Sequence, residues 1–323
     1  MQYLSALSYS RQRLTINYKC IQYTVLSSYW GIEFDTSMAK NSKIEWTHHT
    51  FNPWWGCERV SPACKHCYAE TWARRLGLDL WSKGAPRRML SSAYWRQPLA
   101  WDREARESGV RSRVFCASMA DVFESRSDLN PVREQLWETI SSTPNLDWLL
   151  LTKRPQHVSQ LVPWGQQWPH NVWLGTTVET QRWADRRAPL LLEHAAVVRF
   201  VSCEPLLGPI DLTPWLNPSK NSFGINWVIV GGESGHRARP MNPVWARHLR
   251  DQCEAYDVGF HFKQWGNWSP SDGLPNGHRT RILNGGTALA VSMTNVGKKE
   301  SGRKLDGYEW NGLPLDHGDL MEA

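Results

Sequence analysis

The sequence predicts an α/β fold: a full or partial TIM-type (β/α) barrel of parallel strands. Three observations predict it. Short, nearly continuous apolar runs recur at Val114–Ala117, Trp148–Leu151, Val172–Gly175, Val197–Val201, Trp227–Val230 and Gly259–Phe262, as strands buried on both faces do. Helical stretches fall between them without hairpin turns, which argues for crossover connections. The runs end in polar or charged tails, and in a parallel barrel such ends converge on the face where a site is built.

The elements follow in chain order. Residues 1–37 are rich in Ser, Tyr and Thr without periodicity. They are read as a leader, either disordered or lying upstream of a true start at Met38, and too scattered in apolar residues for a signal peptide. A first strand is expected before Cys57. Residues 67–76 read as a helix, with Ala69, Trp72, Ala73 and Leu76 at helical spacing and Gly77 to end it. The stretch 81–101 mixes Lys83, Arg87, Arg88 and Arg96 with Tyr94 and Trp95. Asn130-Pro131 opens a helix as a cap before a first-turn proline, with Val132, Leu136, Trp137 and Ile140 as its stripe. Further helices are expected over 180–192 and 243–256. The barrel is thus expected over 38–268. The remainder, 269–323, reads as a loop-rich extension, Gly/Asn/Ser/Thr-rich over 269–293 with a basic run at 298–304.

Composition narrows the function classes. The chain has 323 residues, 41% hydrophobic content and a formal net charge of +6. No apolar run reaches the ~20 residues a membrane helix needs. The basic balance admits an anionic partner such as nucleic acid, as does the Trp/Arg mixture at 81–101. Seven cysteines, of which three cluster, do not suit a secreted disulfide framework and point to a reducing, cytoplasmic setting. No GxGxxG follows an early strand, so a dinucleotide fold has no support.

The cluster is Cys57, Cys64 and Cys67, in the run 56–69 (GCERVSPACKHCYA). Three thiolates within eleven residues can hold three corners of a metal centre and leave a fourth open. Structural zinc needs a fourth ligand, and the usual second Cys pair is missing; His48, His49, His66, Cys116 or Cys203 would have to supply it. A [4Fe–4S] cluster on three thiolates instead leaves one iron free for an exchangeable ligand. Cys116, Cys203 and Cys253 lie in apolar or helical runs and read as packing.

The three-cysteine loop ahead of a parallel barrel resembles the radical S-adenosylmethionine (SAM) superfamily. More closely, several runs resemble a phage-associated family of radical-SAM-like proteins of unknown function. These are 43–47 (KIEWT), Asn52-Pro53, 64–70 (CKHCYAE), 151–155 (LTKRP), 174–179 (LGTTVE), 204–210 (EPLLGPI), 231–235 (GGESG), 263–266 (KQWG) and 302–307 (GRKLDG). The resemblance spans about residues 42–314. Two features depart from the superfamily pattern: the first cysteine gap is six residues rather than three, and His66 stands where an aromatic residue is usual. Gly231-Gly232-Glu233 follows a late strand, so the SAM-binding role of the superfamily's Gly-Gly-Glu is not carried over. The resemblance implies that Cys57, Cys64 and Cys67 ligate a [4Fe–4S] cluster and that SAM occupies its open iron. It also implies that a reductant such as flavodoxin or ferredoxin supplies an electron and that hydrogen is abstracted from a substrate, nucleic acid among the candidates. Strand-end groups are then the site candidates: Asp121, Lys153, Arg154, Glu179, Glu204 and Glu233 for chemistry, and Tyr68, Ser118, Asp121, Thr177 and Glu179 for SAM. The alternatives are a non-enzymatic zinc- or iron–sulfur-bearing nucleic-acid-binding protein, and a redox protein without a SAM site.

Overall fold

A computed structural model describes residues 42–216, 224–270, 279–284 and 290–314. The chain divides into two units, 1–36 and 37–323, and every described residue belongs to the second. The expected leader, and parts of the expected C-terminal extension, lie outside the described residues.

The strands, in chain order, are β1 (His49–Phe51), β2 (Trp54–Trp55), β3 (Arg88–Met89), β4 (Ser112–Cys116), β5 (Leu146–Thr152), β6 (Val172–Thr177), β7 (Val198–Cys203), β8 (Trp227–Gly231), β9 (Gly259–Gln264), β10 (Trp268–Pro270), β11 (Thr280–Leu283) and β12 (Val291–Asn295). Seven of them form one sheet in the order β1-β4-β5-β6-β7-β8-β9. Every pairing in it is parallel. The helices Asn130–Ser141, Gln181–Leu192 and Pro243–Ala255 lie between successive strands, where the sequence places them. Among the described residues the sheet does not close between β1 and β9, so the architecture is a partial (β/α) barrel.

Strand periodicity of two sorts the core into two faces. Val114, Cys116, Leu150, Leu174, Val201, Val228 and Val230 pack with the helix residues Leu136, Ile140, Ala188 and Leu249. The alternate positions, Phe115, Leu149, Trp173, Phe200, Trp227 and Ile229, form a separate cluster around Trp46. Trp46 is 1% exposed. Its ring lies 4.6 Å from that of Phe115 and 6.2 Å from that of Trp227. Gly175 has no side chain because a Cβ there would stand 2.4 Å from the Phe200 ring.

Two local expectations are corrected, and one stretch left unassigned gains its elements. Asn130 does not cap its helix; Leu129 holds that position, and the Asn130 amide oxygen accepts from Arg133 Nη1 at 2.6 Å. The stretch 81–101 contains a short helix, Ser92–Trp95, and the start of another, Gln97–Ser108. Parts of 269–293, read as loop, form a three-stranded antiparallel sheet, β10-β12-β11. Its outer strand β11 is largely exposed, so its side chains carry little apolar pattern; Trp268 and Met293 supply the buried anchors.

Candidate functional site

The cysteine loop leaves β2 through Gly56. This residue has φ 112°, and a Cβ on it would meet the Leu80 carbonyl oxygen at 2.8 Å. Only glycine fits such a turn. Pro62 opens a short 3-10 turn, Pro62–His66, after which Cys67 stands at the start of the helix Tyr68–Arg75. Cys57, Cys64 and Cys67 are all half-buried. They line one cleft of about 350 Å³ at the carboxyl ends of the sheet strands, together with Trp46, Phe115 and Leu151.

Burial pushes the Cys57 thiol up to about 12, although the neighbouring Arg154 charge works the other way. Burial likewise raises Cys67, against hydrogen bonds from the Glu70 and Ala69 backbone N–H groups and the charge of Lys153. Both thiols are therefore neutral at pH 7 in the protein alone, and a metal centre must displace their protons to bind.

Several strand-end charges hold the loop. Arg154, at the end of β5, donates from Nη1 to Asp121 Oδ2 at 2.8 Å and to Cys57 Sγ at 3.6 Å, and from Nη2 to the Glu58 carbonyl at 2.7 Å. Burial opposes ionisation of Asp121. Arg154, the Thr152 hydroxyl and the backbone N–H groups of Lys153 and Phe123 outweigh it and keep its pKa below the ordinary value. Glu179 is fully buried, paired with Arg187 at 3.0 Å, and accepts from the Ala63 backbone N–H at 3.4 Å. Glu233 pairs with His66 at 3.0 Å and with Arg239 at 2.5 Å, while Arg239 also donates to the Pro62 carbonyl. Burial raises Glu233, but the hydrogen bonds from Arg239 and His66 prevail and lower it. Within the loop, Arg59 pairs with Glu70 at 2.5 Å.

The remaining strand-end groups face the cleft. Lys153 lines it with no ion-pair partner among the described residues. Glu204 pairs with Lys263 at 3.0 Å and accepts from Ser202 Oγ at 3.2 Å. Gly231 leaves room for that carboxylate, since a Cβ there would stand 2.6 Å from Glu204 Oε1. Thr177 and Ser118 also line the cleft. Tyr68 is 55% exposed, yet its hydroxyl donates to the Ser118 carbonyl at 2.7 Å, which ties the helix after Cys67 to the end of β4.

The structure thus brings together Cys57, Cys64, Cys67, Tyr68, Ser118, Asp121, Lys153, Arg154, Thr177, Glu204 and Glu233 around one cleft. Glu179 stands behind Ala63, outside the lining. Among the described residues, no three or more His, Cys, Asp or Glu side chains form a group able to hold a single metal ion. A cluster suits a different arrangement. Each thiolate binds its own iron, so the ligands stand around a volume rather than on a point. Cys57, Cys64 and Cys67, each half-buried, stand around one cleft in this way.

The model of the family described as "protein of unknown function (DUF5131)" matches residues 41–314. The chain belongs to this family. Comparison with curated proteins and with solved structures finds no match. The DUF5131 match begins just before Trp46 and ends with the last described residue, so it takes in both the cysteine loop and all seven strands of the sheet.

Site residues that the sequence alone did not single out are Lys263, Arg239 and Arg187. Each is the partner of a predicted acid, and each comes from an element remote from the cysteine motif. Arg187 alone had a local signal, eight residues after Glu179 and on the helix that follows it. The stretch 81–101, whose Trp/Arg mixture admits a nucleic-acid partner, is mixed: Lys83 and Arg96 are exposed, while other groups are packed. Arg87 is buried against Glu124 at 2.5 Å, Trp81, Trp95 and Trp101 are buried, and Arg88 lies over Trp55. Cys116, Cys203 and Cys253 are buried, as read. No helix among the described residues is long and apolar enough to cross a membrane.

Proposed function

We propose that this DUF5131 member is a radical SAM-type enzyme, with Cys57, Cys64 and Cys67 as the three protein ligands of a [4Fe–4S] cluster at the mouth of a TIM-type partial barrel. One observation carries the reading. Three half-buried thiols, spread along a pinned loop, line a single cleft at the carboxyl ends of seven parallel strands. When bound, the cluster and SAM supply reductive cleavage of SAM and, through it, hydrogen-atom abstraction from substrate; a flavodoxin- or ferredoxin-type protein is the electron source this chemistry needs.

The chain's own residues do the rest. Cys57, Cys64 and Cys67 would hold the cluster as thiolates, and Arg154 and Lys153 place positive charge beside Cys57 and Cys67. Trp46 closes the floor of the cleft and keeps water from its inner end. Lys153, Thr177 and the Ser202–Glu204–Lys263 group are the polar groups left to orient SAM and substrate. Lys153 suits a carboxylate or phosphate, and Glu204 an amine or hydroxyl.

The test is anaerobic purification of residues 38–323, with iron, sulfide and the visible spectrum recorded. Incubation with SAM and a reductant follows, with a search for 5′-deoxyadenosine. A brown protein that forms this product, and loses its colour when each cysteine in turn becomes alanine, is expected. A colourless protein carrying one zinc, or an intact cluster that never cleaves SAM, would refute the reading.

A further inference from the structure

Cys57 is the outlying ligand. Cys64 and Cys67 are joined by a single short turn and the helix start that follows it. Cys57 lies seven positions earlier, separated from Cys64 by six residues without helix or strand up to Ser61. Such a segment does not hold its first residue in place by itself. Its backbone is instead held from the barrel. The Arg154 guanidinium spans Asp121 Oδ2 at 2.8 Å, the Glu58 carbonyl at 2.7 Å and Cys57 Sγ at 3.6 Å. Arg154 is itself fixed. Its backbone N–H donates to Thr152 Oγ1 at 2.9 Å, and that hydroxyl donates to Asp121 Oδ1 at 2.7 Å. Arg154 and Asp121 are both about nine-tenths buried or more, with side-chain exposures of 6% and 7%. The guanidinium fork thus has fixed direction, and only a planar fork reaches three acceptors at once.

We propose that Arg154 is the positioning residue of the first cluster ligand. It holds Cys57 and the following carbonyl against Asp121, which a shorter gap to Cys64 would otherwise make unnecessary. The inference rests on the cluster reading above and deepens it. A cationic N–H donor aimed at a ligand sulfur also stabilises the more negative, reduced state of a cluster, and so raises its reduction potential.

Two variants separate geometry from charge. Arg154→Lys keeps the charge and loses the fork; Arg154→Gln loses the charge. Arg111→Gln is the control, because Arg111 pairs with Asp147 at the opposite end of β5. The first readout needs no metal: amide hydrogen exchange over residues 57–64 in the metal-free protein. Both Arg154 variants are expected to speed exchange there more than in the rest of the sheet, with the control unchanged. The second readout is the cluster: iron bound per chain and midpoint potential by EPR-monitored reduction. Both variants are expected to bind the cluster about 10- to 100-fold more weakly, and Arg154→Gln to shift the potential downward. Unaltered exchange in both variants overturns the proposal, whatever the wild type binds. So does unaltered cluster affinity in Arg154→Lys. Wild-type protein without iron and sulfide overturns the cluster reading instead, and the exchange result still decides whether Arg154 holds the loop.

Discussion

Arg87 offers a direct contest between a surface role and a structural one. Were it a surface group of the basic, aromatic stretch that admits a nucleic-acid partner, its loss would weaken nucleic-acid binding and leave stability untouched. The structure gives it a different task. Its side chain is fully buried; it donates twice to Glu124, at 2.9 and 2.5 Å, and to the carbonyls of Leu80 and Ala85 at 3.0 and 2.9 Å. Arg87→Met removes these bonds, with two longer ones to the Ser82 carbonyl, and leaves a buried carboxylate without its partner. Breaking a buried pair from one side costs about 3–5 kcal/mol, a large share of the about 5–15 kcal/mol that holds a typical domain together. The double variant Arg87→Met/Glu124→Leu removes the unpaired charge as well and should recover much of that loss, although the Leu80 carbonyl still lacks its donor while Ala85 keeps Arg126. Urea unfolding followed by circular dichroism gives both values from the midpoints. An Arg87→Met midpoint within about 0.5 kcal/mol of wild type would refute the reasoning, as would a double variant no better than the single one.

Four further outcomes are expected. Asp121→Asn should cost about 3–5 kcal/mol near pH 7; because the folded Asp121 pKa is depressed, this difference is full above the ordinary carboxylate value and is lost as pH falls through the folded one, which unfolding curves at stepped pH would show. His261 is buried with both ring nitrogens unpaired among the described residues, and burial first, then nearby cations, lower its pKa to about 3. Its unfolded form takes up a proton below pH 6.5 while the folded form does not, so His261→Leu should stabilise the protein by a margin that grows from pH 6.5 down toward pH 3, read from thermal midpoints. Trp46→Ala should cost about 3–5 kcal/mol by leaving a cavity between Phe115 and Trp227, measured by urea unfolding. Glu204→Gln should keep the iron content and lower SAM cleavage, since Glu204 faces the cleft and pairs with Lys263 and Ser202 rather than with Cys57, Cys64 or Cys67.

Much of this architecture was legible because burial on both faces leaves a continuous apolar signature. The six runs from Val114 to Phe262 all became strands of the one sheet, and their polar tails did converge. β1 was expected only as a strand somewhere before Cys57; three residues, His-Thr-Phe, carry too little pattern to mark it. The small sheet β10-β12-β11 was missed for the opposite reason, since an exposed strand needs no apolar face. The site was half legible. A carboxylate at a strand end can be seen in the sequence, but whether it faces a ligand or an arginine depends on partners brought from elsewhere. Glu233 finds Arg239 only because the turn after β8 doubles back, and Asp121 finds Arg154 from a neighbouring strand. Arg87 misled because a formal charge carries no mark of burial.

The division among the strand-end acids has a physical reason in the loop. Six residues separate Cys57 from Cys64, and fixing the backbone of each costs about 1–2 kcal/mol, so about 6–12 kcal/mol in all. Hydrogen bonds that involve a charged group contribute about 1.5–3 kcal/mol each. The loop receives three from the barrel at separate points: Arg154 on the Glu58 carbonyl, Arg239 on the Pro62 carbonyl and Glu179 on the Ala63 N–H. Together they are worth about 4.5–9 kcal/mol, of the same order as the ordering cost. The arginines in turn need fixed counter-charges, which Asp121 and Glu233 supply, while Arg187 does the same for Glu179. The long gap between Cys57 and Cys64 is therefore held by charged groups at the strand ends, and those groups are taken out of the set available to a bound molecule. What remains facing the cleft includes Lys153, Thr177, Ser118, Gln264 and the Ser202–Glu204–Lys263 group. Substitutions at Asp121, Glu179 or Glu233 should accordingly act through the placement of the thiols, and those at Lys153 or Glu204 through whatever the cleft holds.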